Sequence, residues 1–281
     1  MNPPFQAEFQ AGFQPGEAVW VELCTTDPQQ AEDFYRALLG WTVRHEQLGA
    51  TTYRMCSVDG HDVAGISDAT GLHGGRPRGW IAYFAVDDVA RSADQAVTLG
   101  GELVTPPRYL PAAGTGAVVV DPFGAAFGLY QGESRAGVQT LNTVGALCWN
   151  ELDTGEPQRS VAYYQDLFGY ATQQRDDSPT ARPYTVLMLG DVPVAGVLEL
   201  DNEWPNIIPS KWITYFNVGP LDDALARVSD LGGTPTVGPV DSPHGRLHLV
   251  KDPGGHTLCL VQLEGGLRPD APNSSPPAVD R

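Results

Sequence analysis

The chain has 281 residues, 42% of them hydrophobic, and a formal net charge of −17. That is enough apolar material for a sizeable core, while the acidic balance repels phosphate backbones and anionic lipid and so argues against nucleic-acid or membrane partners. No apolar run approaches the roughly 20 residues of a membrane span, and the opening MNPPFQAEFQAGFQPGE lacks the basic segment and apolar core of a signal peptide, so a cytoplasmic protein is expected.

Residues 1–16 space three Phe among Pro, Gly and Gln and read as a loosely attached arm. The stretch 18–24 alternates as a strand, with Trp20, Glu22 and Cys24 on one face and Val19, Val21 and Leu23 on the other. TTDPQQ then opens a helix: Thr26 or Asp27 caps it and Pro28 takes its first position. Ala31, Phe34, Tyr35, Leu38 and Leu39 follow helical spacing, and Gly40 suits a left-handed cap. Strands near 42–47, 52–58 and 61–67 complete a βαβββ module. A second module starts with the strand GWIAYFAV and the helix DDVARSADQAVTLGG, followed by strands near 102–108, 116–120 and 125–131.

The pattern then repeats. WVELCTTDPQQAEDFYRALLGW at 20–41 aligns without a gap on WNELDTGEPQRSVAYYQDLFGY at 149–170, with 9 of 22 positions identical. Tyr53 answers Tyr184, VAG at 63–65 answers VAG at 194–196, and WIAYFAV at 80–86 answers WITYFNV at 212–218. DPFGAAFGL at 121–129 answers DPGGHTLCL at 252–260. A duplication of this length fixes the architecture before any other feature does. The expected organisation is an arm at 1–16, a first domain at 17–134, a linker at 135–144, a second domain at 145–265 and a tail at 266–281 whose Pro, Ser and Asp indicate disorder.

Four βαβββ modules in pairs, with FY…LLGW at a helix end and DP-x-G before a last strand, resemble the vicinal oxygen chelate superfamily of glyoxalases, bleomycin-resistance proteins and extradiol dioxygenases. The resemblance spans about residues 17–264. It implies an α+β fold in which two tandem glyoxalase-like domains each wrap a mixed, curved sheet around a cavity. It also implies where metal-dependent members place their ligands: at the first inward residue of each module's first strand, and in the last strand four residues after the DP-x-G glycine. Here those places hold Trp20 and Trp149, Ile81 and Ile213 (or Trp80 and Trp212), Gly128 and Cys259, with Gly65 and Gly196 as the equivalents in the other modules. A divalent cation needs several converging N, O or S donors, so no metal and no other cofactor is expected at the family's position.

Alternation suggests what stands there instead. Trp20 and Glu22 share the inward face in the first unit, Trp149 and Glu151 in the second. Tyr53, Tyr130 and Tyr184 join them, with one member each of Tyr83-Phe84 and Tyr215-Phe216. Flat aromatic walls with a few polar groups suit a flat aromatic ligand. A carboxylate on such a face is costly unless paired or functional, so Glu22 and Glu151 are candidate bases; a structural reading, in which each ties modules together, stands beside it. His244, Arg246 and His248 alternate in SPHGRLHLV and have no counterpart in the first unit. They are candidate ligand contacts, with His248 a candidate proton donor, although a plain edge strand would look the same. His61, His73 and His256 fall in loop or turn contexts. Cys24, Cys56, Cys148 and Cys259 lack metal-like spacing and are expected as reduced, buried thiols.

The expected function is therefore binding of a small hydrophobic aromatic molecule without a metal. Any turnover would be acid–base chemistry, as in the antibiotic-binding and natural-product branch that the resemblance suggests. Two alternatives stay open: a metal-dependent lyase, isomerase or dioxygenase using ligands such as His244, His248 and Glu151, and a protein whose cavity is filled by its own tryptophans. A homodimer is compatible with the sequence, as is pairing of modules across units.

Overall fold

A computed structural model describes residues 13–48, 51–69, 77–110, 114–132, 137–175, 182–200, 209–242 and 244–263. Most of the expected arm, His73 and the whole expected tail lie outside these residues. The first unit runs β1 (Ala18–Thr25), α1 (Pro28–Leu39), β2 (Thr42–Leu48), β3 (Thr51–Val58), β4 (His61–Asp68), β5 (Gly79–Ala85), α2 (Val89–Thr98), β6 (Glu102–Leu110), β7 (Gly114–Val120) and β8 (Ala126–Gly132). The second repeats it as β9 (Leu147–Thr154), α3 (Pro157–Phe168), β10 (Ala171–Arg175), β11 (Tyr184–Leu189), β12 (Val192–Glu199), β13 (Lys211–Asn217), α4 (Leu221–Asp230), β14 (Thr234–Ser242), β15 (Gly245–Lys251) and β16 (Thr257–Leu263).

Each unit forms one eight-stranded mixed sheet, ordered β2-β3-β4-β1-β5-β8-β7-β6 and β10-β11-β12-β9-β13-β16-β15-β14. Both orders are open at their ends, so neither sheet closes into a barrel. Modules pair within a unit, through β1 against β5 and β9 against β13, not across units.

Local chemistry explains the element ends. Asp27 caps α1 by accepting from the Gln30 N–H, Pro28 occupies the first turn, and Gly40 closes the helix at φ 72°. Gly169 closes α3 in the same way at φ 76°. In β5 and β13 alternation sends Trp80, Phe84, Trp212 and Phe216 to the helix-bearing face. Trp80 meets Phe216 with centroids 5.0 Å apart, and Phe84 meets Trp212 at 4.9 Å. The helix-bearing faces of the two sheets thus share a single core. Ile81 and Tyr83, and likewise Ile213 and Tyr215, point the other way, onto the two concave faces.

Candidate functional site

The concave face of the first unit is filled by its own side chains. The Trp20 Nε1–H donates to the Tyr53 hydroxyl at 3.0 Å. Glu22 accepts from the Ser67 hydroxyl at 2.5 Å and from the Tyr83 hydroxyl at 3.3 Å. Strand register brings them together, since Glu22 sits beside Gly65 on β4 and Ile81 on β5. The missing side chains make the room: a Cβ on Gly65 would lie 1.8 Å from the Tyr53 hydroxyl, and one on Gly128 would lie 2.0 Å from the Tyr83 ring. Tyr130 packs over Gly114 in the same fashion. Trp20, Glu22, Tyr83 and Tyr130 are each 1% exposed, and Tyr53 is 4% exposed.

The second unit keeps the frame and changes the filling. The Trp149 Nε1–H donates to the Tyr184 hydroxyl at 2.9 Å, and the Tyr215 hydroxyl donates to Glu151 at 2.7 Å. The Tyr184 hydroxyl also lies close enough to Glu151 to lower the proton affinity of its carboxyl. Yet Trp149 and Tyr184 are only half-buried. Four exchanges distinguish this face from that of the first unit. Val261 stands where the first unit has Tyr130, so one large ring is gone, and Cys259 stands at Gly128. Leu198 stands where the first unit has Ser67, and Asp153 stands where it has Cys24. Asp153 therefore joins Trp149 and Glu151 on the concave face of β9.

Sequence reasoning missed Asp153. The side chain is 5% exposed, its carboxyl lies beside that of Glu151, and its Oδ1 accepts no N–H or O–H from any described residue. Burial pushes the carboxyl well above its ordinary range, and the Glu151 charge pushes it further, against the pull of Lys211 and Arg182. Glu151 is also raised by burial, opposed by hydrogen bonds from Tyr215, Tyr184 and Asp153. Two carboxyl groups in contact and out of water hold a proton between them, because ionising both puts like charges side by side. Burial and the Glu151 charge raise the phenols of Tyr184 and Tyr215 well above their usual range, so both stay neutral hydrogen-bond donors.

The histidine cluster lies elsewhere. Leu247 and Leu249 pack with Cys259, Tyr215 and Ile213 on the concave side. The alternate residues Arg246 and His248 therefore face the helices. Arg246 pairs with Asp222 on α4 at 3.1 Å, and His248 stands opposite Leu260 with its Nδ1 2.8 Å from the Leu249 carbonyl. His244 precedes β15 and donates its backbone N–H to the Ser242 hydroxyl at 3.2 Å. His248 and Glu151 are thus on opposite faces of one sheet, and His244, His248 and Glu151 do not converge as a ligand set. His256 occupies the DP-x-G turn, with Nδ1 3.0 Å from Asp252.

The positions at which the family resemblance implies metal ligands do not fit one here. The Tyr53 hydroxyl and the Tyr83 ring occupy the volume that side chains on Gly65 and Gly128 would need. Trp20, Trp149, Ile81 and Ile213 carry no lone pair for a cation, and Cys259 belongs to no group of three or more His, Cys, Asp or Glu among the described residues that could hold one.

Fold and site together define a tandem glyoxalase-type protein. The model of the Glyoxalase/Bleomycin resistance protein/Dioxygenase superfamily matches residues 18–129 and 147–260, and the chain belongs to that superfamily. It is 34% identical over 254 residues to the "Putative glyoxylase CFP32" of Mycobacterium tuberculosis, covering 89% of this chain and 96% of that protein. It is 31% identical over 267 residues to the anthracycline biosynthesis protein DnrV of Streptomyces peucetius, covering 90% and 96%. DauV of Streptomyces sp. strain C5, also named for anthracycline biosynthesis, is 30% identical over 264 residues, covering 89% and 94%. Among solved structures, the Mn(II)-bound glyoxalase of Novosphingobium aromaticivorans superposes with a TM-score of 0.58 at 15% identity, covering 89% of this chain and 83% of that one. The 2,3-dioxygenase LapB of Pseudomonas sp. KL28 superposes at 0.60 and 16%, covering 93% and 96%. These two likenesses concern the fold.

Proposed function

We propose that the chain binds a planar, hydrophobic aromatic molecule on the concave face of its second unit, without using a metal, and serves the making or handling of an aromatic natural product. One observation carries the reading: Trp149 and Tyr184 are only half-buried around Glu151, whereas Trp20 and Tyr53 are sealed in the first unit. Exposed aromatic rings beside buried hydrogen-bonding groups are what an aromatic ligand needs. The names of DnrV and DauV, which align over most of this chain, support an aromatic polyketide context. If the bound molecule is turned over, Glu151 acts as base and Tyr215 as the donor held against it. A reducing, cytoplasmic setting goes with this reading, since Cys24, Cys56, Cys148 and Cys259 are all free thiols.

The experiment is thermal shift and tryptophan quenching against a panel of planar aromatic natural products, with metal content measured on the same sample. Saturable binding by metal-depleted protein supports the reading. No response to any of the panel, or a response that needs an added metal, overturns it. The second outcome favours the alternative that the name of CFP32 suggests, a glyoxalase-type enzyme with its ligands in unusual places.

A further inference from the structure

We propose that the Glu151–Asp153 pair is a receptor for a neutral hydrogen-bond donor, so that the aromatic ligand of the second unit is a phenol whose hydroxyl docks on Asp153. The inference rests on the binding reading above and adds the chemistry of the polar end of the ligand.

The geometry begins with alternation on β9, which puts Trp149, Glu151 and Asp153 on one face. Glu151 is served within the unit: Tyr215 donates to its Oε1 at 2.7 Å, and Tyr184 and Asp153 lie near enough to act on its carboxyl. Asp153 is served differently. Its Oδ1 is buried and accepts nothing from the described residues. A buried acceptor left empty costs roughly 1–3 kcal/mol, and such a cost persists where a ligand supplies the partner. In the first unit the problem does not arise, because Cys24 stands there and the Ser67 hydroxyl satisfies Glu22. The empty acceptor is thus specific to the unit whose aromatic wall is open.

What the acceptor takes follows from its surroundings. It needs a donor, which excludes quinones, ethers and plain hydrocarbons as the group placed there. Lys211 lies beside Asp153 in the β9–β13 register, and Arg182 also acts on its charge. These two cations disfavour an ammonium donor. Two carboxyl groups side by side offer a phenolate or carboxylate only neutral or like-charged oxygens. Cys259, on the same face, is raised first by burial and next by the Glu151 charge, and remains a neutral thiol. A neutral hydroxyl on an aromatic ring satisfies each condition, and Trp149 and Tyr184 supply the wall for the ring.

The test compares 2-hydroxyanthraquinone with 2-methoxyanthraquinone, measured by calorimetry in mildly acidic buffer that keeps the hydroxyl neutral. The two probes share ring and carbonyls and differ in the donor. The wild-type protein is expected to bind the hydroxyl compound about tenfold tighter, equivalent to about 1.4 kcal/mol. Asp153→Val should abolish that preference while leaving the methoxy compound's affinity unchanged. Should Asp153→Val fail to fold, Asp153→Ala also removes the acceptor, with less bulk, and is likewise expected to abolish the preference. Glu22→Gln, in the sealed unit, should leave it as it is. Equal binding of the two probes by the wild type, or a preference surviving in the Asp153 variant, would overturn the proposal while leaving the aromatic-binding reading standing. Binding of neither probe would remove that reading and this proposal with it.

Discussion

Tyr35 and Asp252 join the two units: the Tyr35 hydroxyl on α1 donates to Asp252 in the DP-x-G turn before β16, at 3.0 Å. Tyr164 on α3 does the same to Asp121 before β8, again at 3.0 Å. Trp80 and Trp212 donate to these tyrosine hydroxyls at 3.1 and 2.9 Å, so each phenol is fixed from both sides. Each unit therefore completes the buried polar group of the other, and the repeat signatures FY…LLGW and DP-x-G are two ends of one contact.

Tyr35→Phe and Tyr164→Phe should each cost about 1.5–3 kcal/mol, because each removes a hydrogen bond to a buried carboxylate and leaves it underserved. Denaturant unfolding checks this, with a lower midpoint at an unchanged slope. A split into two transitions would show further that the units had been uncoupled.

Gly128→Ala should destabilise by roughly 1–3 kcal/mol, since the new methyl falls 2.0 Å from the Tyr83 ring in a filled face. Gly155→Ala meets nothing within 4 Å and should stay within about 0.5 kcal/mol of the parent. Thermal melts of the two variants side by side make the comparison.

The carboxyl pair predicts a pH dependence with a definite sign. Glu151 and Asp153 are raised from ordinary values of 4.5 and 3.8, so the folded chain holds their protons more tightly than the unfolded one. Their contribution to stability is complete below those ordinary values and is lost as pH rises through the folded-state values. Each tenfold difference in proton affinity is worth about 1.4 kcal/mol. Asp153→Asn should therefore gain stability relative to wild type as pH rises from the acid range, until the pair has ionised. Urea midpoints for both proteins across that range measure it. A stability of Asp153→Asn relative to wild type that stays constant or falls over that range would contradict the shared proton.

The architecture was legible because it rests on local and repeated signals. Gly40 and Gly169 mark helix ends by needing a left-handed backbone, and the 20–41 and 149–170 copies fix four modules. Alternation correctly grouped Trp20 with Glu22 and Arg246 with His248. It could not say which face of the sheet each group occupied, because that depends on the register with β16 and on where α4 packs; His248 consequently lies away from Glu151. Asp153 was visible in principle. Aligning the copies sets it against Cys24, and a carboxylate replacing a thiol on an inward position is a chemical departure from the repeat. The loss of Tyr130 to Val261 was visible in the same alignment, but its effect, an opened wall around Trp149, needed the packed rings to be seen.

The most direct measurement is a crystal structure of the protein with the tightest aromatic ligand from the panel. One molecule per chain is expected, its ring against Trp149 and Tyr184 and its polar end toward Asp153, with Trp20 and Tyr53 undisturbed. A ligand seated between Trp20 and Tyr83 in the first unit, or held by a metal bound to the chain, would contradict it.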